Sequence, residues 1–227
     1  MTKWHEIWNK KDRVENIILE TLIKADGFDV GAGSFTLENW KEYTKELFDS
    51  LAIKEDDSIY EIGCGSGAFL YLLYTSGFKV AGLDYSSILI DIANNVMKDC
   101  DFKNDEAINI NTNEKFDIVI SNSVFHYFKD LDYAKEVIKK MIQKSNKKIA
   151  IFDVNDKTKE SIYHEIRMQK LSKEEYEKKY EGLEHLFFEK SWFEDIAKEF
   201  NLKIKIQDQN FKEYLNSNLR FNVIMEK

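Results

Sequence analysis

Apolar and polar positions in the middle of the chain alternate in a pattern that predicts short strands separated by helices. Between the predicted strands, apolar residues fall on one helical face over 68–76, over 87–98 and after Asp130, whose carboxylate can cap a helix. Apolar runs predict strands at 58–62, 78–83, 100–102, 116–120 and 148–154. This regular alternation implies right-handed crossovers and a mainly parallel sheet, which is an α/β fold.

Two helical patterns precede the first predicted strand. The first is an apolar stripe near the N-terminus, and the second is an amphipathic helix predicted over 37–51, after a link rich in Gly, Asp and Ser. These segments are too apolar to lie free in solvent, so we expect them to pack on the core or to close over a ligand. The first apolar stripe at helical spacing consists of Trp4, Ile7, Trp8, Val14, Ile17, Ile18 and Thr21.

The last part of the chain predicts one helix and two strands. Ser191 and Glu194 have capping-box spacing, which predicts that a helix starts there, and this helix should end near Asn201. Apolar residues alternate over 202–206 and recur over 220–225. Because no helix lies between these two predicted strands, we expect them to pair antiparallel as a hairpin.

A glycine-rich turn follows the first predicted strand. Gly63, Gly65 and Gly67 occupy alternate positions, where glycine permits positive φ angles and close approach of a ligand to the backbone. The helix after the turn points free N–H groups and the positive end of its dipole toward the carboxyl edge of the sheet. The turn therefore predicts a binding site for a nucleotide-type ligand.

An acidic residue, Asp84, ends the second predicted strand. A carboxylate at this position can accept hydrogen bonds from both hydroxyls of a ribose. Tyr85 follows and can stack on an adenine, while Ser86 or Ser87 can cap the next helix. This second anchor matters because the glycine pattern alone also fits the loose dinucleotide motif.

Three motifs in register resemble those of class I methyltransferases that depend on S-adenosyl-L-methionine (SAM). They are Glu61-Ile-Gly-Cys-Gly-Ser-Gly67, Gly82-Leu-Asp-Tyr-Ser86 and Phe116-Asp-Ile-Val-Ile-Ser-Asn-Ser-Val-Phe-His126. The resemblance implies a Rossmann-like, seven-stranded, mostly parallel sheet with an antiparallel last strand. It further implies one methyltransferase domain over 1–227, divided into an N-terminal helical cap (1–55), a SAM-binding core (56–154), an acceptor lid (155–190) and a C-terminal helix and hairpin (191–227).

The resemblance also implies SAM as the cofactor and S-adenosyl-L-homocysteine (SAH) as its product. In the acidic turn after the third strand, Asp105 is the first candidate to contact the adenine amino group and Glu106 the second. No metal site is expected, because Ser121 and Asn122 stand where a metal-dependent relative would need an acid. The implied cofactor-binding residues are Glu61, Gly63, Cys64, Gly65, Gly67, Asp84, Tyr85, Ser86, Asp105, Glu106, Asn122 and Ser123.

The predicted acceptor site combines the loop after the fourth strand with the lid. His126 lies on that loop and titrates near neutral pH, which makes it the candidate general base, although a structural histidine bonded to a backbone carbonyl is the alternative. We expect a small polar acceptor, and foremost O-methylation of a sugar, a sugar phosphate or a related metabolite. The candidate substrate-binding residues are Trp4, Trp8, Phe125, Tyr127, His164, Arg167 and His185.

Composition narrows the choice of partners. With 33 Lys and Arg against 41 Asp and Glu, the net charge of −8 argues against nucleic acid and against an anionic membrane surface. The sequence has neither a signal-peptide core nor a run of roughly 18 apolar residues, which predicts a cytoplasmic protein. Cys64 and Cys100 lack the spacing of a metal site and are expected to be reduced thiols.

Other functions fit part of the same pattern. An NAD(P) oxidoreductase would use the same glycine turn and Asp84, but a Tyr-x-x-x-Lys pair is missing from the expected place. An N-methyltransferase acting on a small amine and a non-catalytic SAM-binding protein both fit the motifs. The chain has no proline, which argues against the proline-containing motifs of base methyltransferases, and its two cysteines are too few for a radical SAM cluster.

Overall fold

A computed structural model of the protein describes residues 3–8, 19–28, 35–168 and 172–227. Its strands are β1 (Ser58–Ile62), β2 (Lys79–Asp84), β3 (Asp101–Asn104), β4 (Phe116–Asn122), β5 (Ser145–Asn155), β6 (Lys203–Asp208) and β7 (Arg220–Glu226). Within the described residues they form one sheet in the spatial order β3-β2-β1-β4-β5-β7-β6. β7 runs antiparallel to β5 and β6, and the other neighbours pair in parallel. The predicted mostly parallel sheet with an antiparallel last strand is confirmed.

Helices cover both faces of this sheet. They are α1 (Lys3–Trp8), α2 (Leu19–Ala25), α3 (Leu37–Leu51), α4 (Tyr71–Thr75), α5 (Ser87–Val96), α6 (Leu131–Lys144), α7 (Glu160–Met168), α8 (Lys173–Tyr180) and α9 (Lys190–Glu199). One hydrophobic core includes residues of α2 to α5 and a second includes residues of α6 and α9. In β1, Ile59 belongs to the first core and Tyr60 to the second, as expected for a strand buried on both faces.

Two predicted helix caps are present, and one is not. Ser86 Oγ accepts the N–H of Leu89 at the start of α5, and the Asp130 carboxylate accepts an N–H at the start of α6. α9, however, begins at Lys190, and Glu189 at its N-cap makes no side-chain cap. The capping box predicted from Ser191 is therefore wrong.

Backbone pairing with β5 fixes the start of α9 instead. The N–H of Phe188 donates to the carbonyl oxygen of Asn155 at 2.9 Å, and the N–H of Lys157 donates to the carbonyl oxygen of Phe188 at 2.9 Å. The segment before α9 is thus attached to the end of β5. The helix begins where the chain leaves this pairing, which a local capping signal does not reveal.

α1 bridges the carboxyl edge of the sheet and the segment that follows α8. On the sheet side, Tyr85 Oη donates to the carbonyl oxygen of Trp4 at 3.4 Å, and Ser86 Oγ donates to that of Trp8 at 3.0 Å. On the other side, Trp4 Nε1 donates to the carbonyl oxygen of Glu184 at 3.4 Å. These bonds place both tryptophans beside the carboxyl ends of the strands.

Part of the predicted N-terminal stripe, Val14, Ile17 and Ile18, lies outside the described residues. Within the described ranges, no helix combines the length and the apolar character needed to cross a membrane. The division of the chain into cap, core, lid and C-terminal segment stays a prediction.

Candidate active site

A cavity of about 790 Å³ lies at the carboxyl edge of the sheet. Asp84 at the end of β2, Asn122 at the end of β4 and Gly63 in the turn after β1 all line it. Trp4 of α1 and Tyr180 of α8 line it as well. The cavity therefore occupies the place where open α/β sheets bind their ligands.

The glycine turn has the backbone conformation that its sequence predicts. The φ angle is +72° at Gly63, +53° at Gly65 and +86° at Gly67. A Cβ on Gly65 would overlap the carboxylate of Asp26, and a Cβ on Gly67 would overlap Met97 at the end of α5. Gly63 and Gly65 line the cavity, whereas Gly67 lies outside the lining and allows close packing against α5.

Asp84 connects the glycine turn to the end of β2. One carboxylate oxygen accepts the N–H of Gly65 at 3.0 Å, and the other accepts the N–H of Ser86 at 2.8 Å. The side chain of Asp84 is buried and lines the cavity, as does Tyr85. Ser86 lies outside the lining, because its hydroxyl caps α5 and donates to Trp8.

Three carboxylates, those of Asp26, Glu61 and Asp84, line one end of the cavity, called here the acidic end. Asp26 accepts the N–H of Ser66 at 2.7 Å and that of Ala68 at 3.3 Å. Burial raises the pKa of Asp26 to about 7 and raises the pKa of Glu61 well above its usual range. Glu61 Oε2 is buried and finds no hydrogen-bond partner among the described residues. This end of the cavity therefore favours a cationic ligand group.

The acidic turn after β3 brings only one of its two candidates to the cavity. Glu106 lines the cavity, and Tyr133 forms a hydrogen bond with its side chain. Asp105 lies outside the lining: its Oδ1 accepts the N–H of Glu106 at 2.8 Å and Nδ2–H of Asn109 at 2.8 Å. The carboxylate of Asp105 thus stabilises the turn, and Glu106 takes the place expected for Asp105.

The loop after β4 lines another part of the cavity, called here the acceptor end. Asn122, Ser123 and Tyr127 are part of the lining, and Asn122 Oδ1 accepts the hydroxyl of Tyr43 at 3.1 Å. Phe125 is 1 % exposed and packs in the core instead. The apolar ring of Phe125 is buried beneath the loop, so the structure does not bring it to the cavity.

His126 is 2 % exposed and lines the acceptor end. Its Nδ1 lies 3.4 Å from Nη1 of Arg220. A guanidinium can only donate, so Nδ1 accepts and the ring proton lies on Nε2. Burial, together with the charge of Arg220, lowers the pKa of His126 well below its usual range, so the ring is neutral and its basic nitrogen, Nδ1, faces Arg220.

A buried polar network surrounds Asp153 at the end of β5. Asp153 Oδ2 accepts the hydroxyls of Ser123 at 2.7 Å and Tyr214 at 3.1 Å, and Oδ1 accepts Nε2–H of Gln209 at 3.3 Å. Arg220 Nε lies 3.8 Å from Asp153 Oδ1. Ser123 and Asp153 have φ angles of +60° and +59°, which are uncommon outside glycine and cluster at functional sites.

The predicted lid contributes two of its three candidate residues. His185 lines the cavity with Nδ1 at 2.5 Å from the hydroxyl of Tyr163, and burial lowers the pKa of His185 well below its usual range. Arg167 also lines it, with its guanidinium 4.4 Å from the ring centre of Tyr163 and 5.0 Å from that of Tyr180. His164 lies outside the lining and contacts the ring of Tyr163.

Comparison with known sequences identifies the family. Residues 34–223 match the sequence model of a family described as a methyltransferase domain. The chain belongs to this family. The predicted class I SAM-dependent methyltransferase and its SAM cofactor are thereby confirmed.

The curated relatives of this methyltransferase match it only in part. The malonyl-[acyl-carrier protein] O-methyltransferase of Calditerrivibrio nitroreducens is 30% identical over 105 residues, which are 45% of this chain and 39% of the relative. The chain thus spans about two fifths of the length of the curated relatives it matches first.

Solved structures share the fold of the methyltransferase over most of its length. A SAM-dependent methyltransferase from Archaeoglobus fulgidus has a TM-score of 0.61 at 16% identity and covers 83% of this chain and 94% of its own. Magnesium protoporphyrin IX methyltransferase from Synechocystis, with bound SAH, has a TM-score of 0.59 at 12% identity and covers 99% and 91%. At these identities the likeness concerns the fold.

The residues of this methyltransferase fit SAM in charge and shape. SAM carries a cationic sulfonium and an ammonium group, and the acidic end holds three carboxylates together with the unpartnered Glu61 Oε2. The glycine turn permits close approach of a ligand to its backbone. Cys64 and Trp8 also line the cavity, and the thiols of Cys64 and Cys100 are free.

No sequence motif points to four residues that line the cavity or belong to the network around Asp153. They are Asp26, Asp153, Tyr214 and Arg220. Asp26 lies in the polar link before α3, where a carboxylate is unremarkable in sequence. Arg220 carries the one usable signal, because it is a charged residue at the start of a mostly apolar strand. Their proximity depends on pairing between distant segments, which the chain order does not display.

Proposed function

We propose that this protein transfers the methyl group of SAM to an oxygen atom of a small polar acceptor. The observation that carries the proposal is one cavity that joins the acidic end to an acceptor end lined by Arg167, Arg220 and the loop after β4. Bound SAM supplies an electrophilic methyl group. Holding an acceptor in line with that methyl group provides much of the catalysis in such a displacement.

In this proposal the acidic end and its neighbours hold the cofactor. Asp84 accepts hydrogen bonds from the ribose hydroxyls, and Glu106 accepts one from the adenine amino group. Glu61 faces the ammonium group, since its buried Oε2 needs a donor. Gly63 and Gly65 lie against the methionine part, where side chains would fill the space.

The charges of the acceptor end favour an oxygen acceptor over the alternative of a small amine. Arg167 and Arg220 carry positive charge, and the lowered pKa values of His126 and His185 leave both rings neutral. A protonated amine would be repelled here, whereas a neutral or anionic molecule would not. The relative that is named an O-methyltransferase supports the same choice. A sugar, a sugar phosphate or a related metabolite fits this description.

His126 acts in this proposal as a positioning residue. Its Nδ1 accepts from Arg220 and its Nε2 carries the proton, so neither nitrogen is free to take a proton from the acceptor. The ring orients the guanidinium of Arg220 at the acceptor end. This role differs from the general base expected from its place in the sequence.

Calorimetry and a transfer assay test the proposal. SAM and SAH should bind in the micromolar range or tighter, and NADPH should not bind. Methyl-labelled SAM should then transfer label to at least one member of a panel of sugars, sugar phosphates, carboxylic acids and amines. Tight SAM binding without transfer to any acceptor would instead favour the non-catalytic SAM-binding alternative, and NADPH binding would contradict the cofactor assignment.

A further inference from the structure

Arg220, the first residue of β7, brings a buried charge to the acceptor end. Its side chain is 4 % exposed and lines the cavity. A guanidinium offers five N–H donors and no acceptor. Nε is enclosed and has no hydrogen-bond partner within the described parts of the chain, and among those parts the terminal nitrogens make one long contact, 3.4 Å between Nη1 and His126. Because the guanidinium lines the cavity, its terminal N–H donors are left for an incoming acceptor atom to satisfy.

Asp153 balances the charge of Arg220 without satisfying its donors. The carboxylate oxygens of Asp153 already accept from Ser123, Tyr214 and Gln209. Its separation of 3.8 Å from Arg220 Nε is an ion-pair distance and too long for a hydrogen bond. The network around Asp153 therefore holds Arg220 in place while leaving its terminal N–H donors available.

A second guanidinium faces the same cavity. Arg167 lies over the rings of Tyr163 and Tyr180, and stacking of this kind fixes the plane of a guanidinium. Arg167 and Arg220 carry two positive charges, and the carboxylate of Asp153 offsets only one of them. A planar anion with two oxygens complements this arrangement, because guanidinium and carboxylate groups match in geometry.

We propose that the acceptor group is a carboxylate, that Arg220 binds one of its oxygens through a terminal guanidinium N–H, and that the product is a methyl ester. This inference rests on the proposed function and names the acceptor class of the same cavity. It separates a carboxylate, which is itself methylated, from a sugar or sugar phosphate, whose hydroxyl would be methylated.

The chemistry of a carboxylate matches the groups that the acceptor end provides. A carboxyl group has an ordinary pKa of about 4 and is ionised at neutral pH, so no base has to remove a proton. One carboxylate oxygen forms the new O–C bond while the S–C bond of the sulfonium breaks, and the S–C electron pair stays on sulfur. An anion and a cation become a neutral ester and a neutral thioether, and no proton is released. His126, whose basic nitrogen Nδ1 faces Arg220, is not needed as a base.

The first test determines which bond carries the transferred methyl group. The wild-type protein is incubated with methyl-labelled SAM and a panel of carboxylic acids, which are acetate, succinate, hexanoate, benzoate and malonyl thioesters. The amides of these acids and a small-molecule cell extract are tested in parallel. We expect label in products that release labelled methanol in mild alkali, as methyl esters do. Label only in alkali-stable products would overturn the carboxylate while leaving methyl transfer standing. No transfer at all, with SAM bound, would overturn the proposed function itself.

The second test assigns the carboxylate contact to Arg220. Arg220→Lys keeps the charge and removes the planar guanidinium with its terminal N–H donors, so KM for the acid should rise roughly 10- to 100-fold with the Kd of SAM within about twofold. Lys203→Gln is the matched control, because it removes a positive charge from the exposed start of the neighbouring β6 and should leave KM unchanged. An unchanged KM in Arg220→Lys would overturn the assignment.

Two further measurements separate positioning from folding. With SAM saturating, the wild-type kcat should be flat between pH 6 and pH 9, because the acceptor needs no base, and a kcat that rises with pH over this range would contradict the carboxylate. If Arg220→Lys also loses SAM binding, a competition assay with the wild-type protein replaces the variant as the test. The free acid should then inhibit methylation of the labelled acceptor, and the corresponding amide should not; inhibition by both would overturn the assignment.

Discussion

Replacing Asp26 with asparagine tests whether the acidic end holds a strained negative charge. Burial, opposed by hydrogen bonds from Ser66 and Ala68, raises the pKa of Asp26 from 3.8 to about 7. The folded protein therefore holds this proton more tightly than the unfolded chain, and stability falls as the pH rises from about 4 to about 7. The difference between 3.8 and about 7 corresponds to about 4 kcal/mol at 1.36 kcal/mol per pH unit. Because Asp26 is partly exposed to the cavity, we expect a loss of folding stability of about half this value, ~2 kcal/mol.

Asp26→Asn removes this charge and keeps one oxygen as an acceptor for the N–H of Ser66. It loses the longer hydrogen bond from Ala68, which costs about 1 kcal/mol at every pH. Relative to the parent, the variant should be nearly as stable at pH 5, where about a third of the ~2 kcal/mol cost already acts on the parent, and about 1 kcal/mol more stable at pH 8. Urea unfolding at both pH values measures this change of about 1 kcal/mol. A difference between variant and parent that does not depend on pH would refute the reasoning.

Cofactor binding gives a second measurement of the same charge. A cation at the acidic end favours the ionised form of Asp26, so SAM should bind the parent more tightly at pH 8 than at pH 5.5. Asp26→Asn should reduce that dependence. A variant with the same pH dependence as the parent would place the cationic groups of SAM away from Asp26.

Three further substitutions probe the turn, the ribose anchor and the histidine. Asp84→Ala should weaken SAM binding by about 1.5–3 kcal/mol in calorimetry, and unchanged affinity would remove Asp84 from the site. The variant should also be less stable without ligand, since the carboxylate accepts two backbone N–H groups. Gly63→Ala should lower the free energy of unfolding by about 1–3 kcal/mol, because φ is +72° and the added Cβ would overlap Val124. Adding Val124→Ala should recover part of this loss, and no recovery would assign the whole cost to the backbone. His126→Gln should lower kcat by less than about tenfold, whereas a loss of about 10²–10⁴-fold would restore His126 as the general base.

The regular elements of the core follow from local sequence, and their irregular ends do not. α3 covers the predicted 37–51, and β1 matches the predicted 58–62. β5, by contrast, begins at Ser145, because Ser145 pairs with Phe116 across an irregular register. The polar residues before position 148 carry no strand pattern, so only their partners on β4 reveal that they are extended.

The glycine turn and Asp84 of the acidic end could be predicted because they lie close together in sequence, whereas Asp26 could not, because it comes from a distant segment before α3. The glycine turn and Asp84 belong to one strand-turn-helix-strand unit, and one N–H to carboxylate bond joins them in the fold. The acceptor end assembles residues from β4, β5 and β7, and Asp153 and Arg220 meet only because β7 pairs with β5. Contacts between such distant positions cannot be inferred from spacing along the chain.

The antiparallel direction of β7 has a consequence for how the activity could be changed. Because β7 runs against the other strands, its first residue lies at the edge where they end, so the loop 209–219 opens onto the cavity through Tyr214, Asn216 and Leu219. The motifs that resemble those of SAM-binding proteins all lie before residue 127. Part of the acceptor end thus comes from a stretch of chain separate from these motifs, and a library confined to 209–220 would vary the acceptor end while leaving the motifs unchanged.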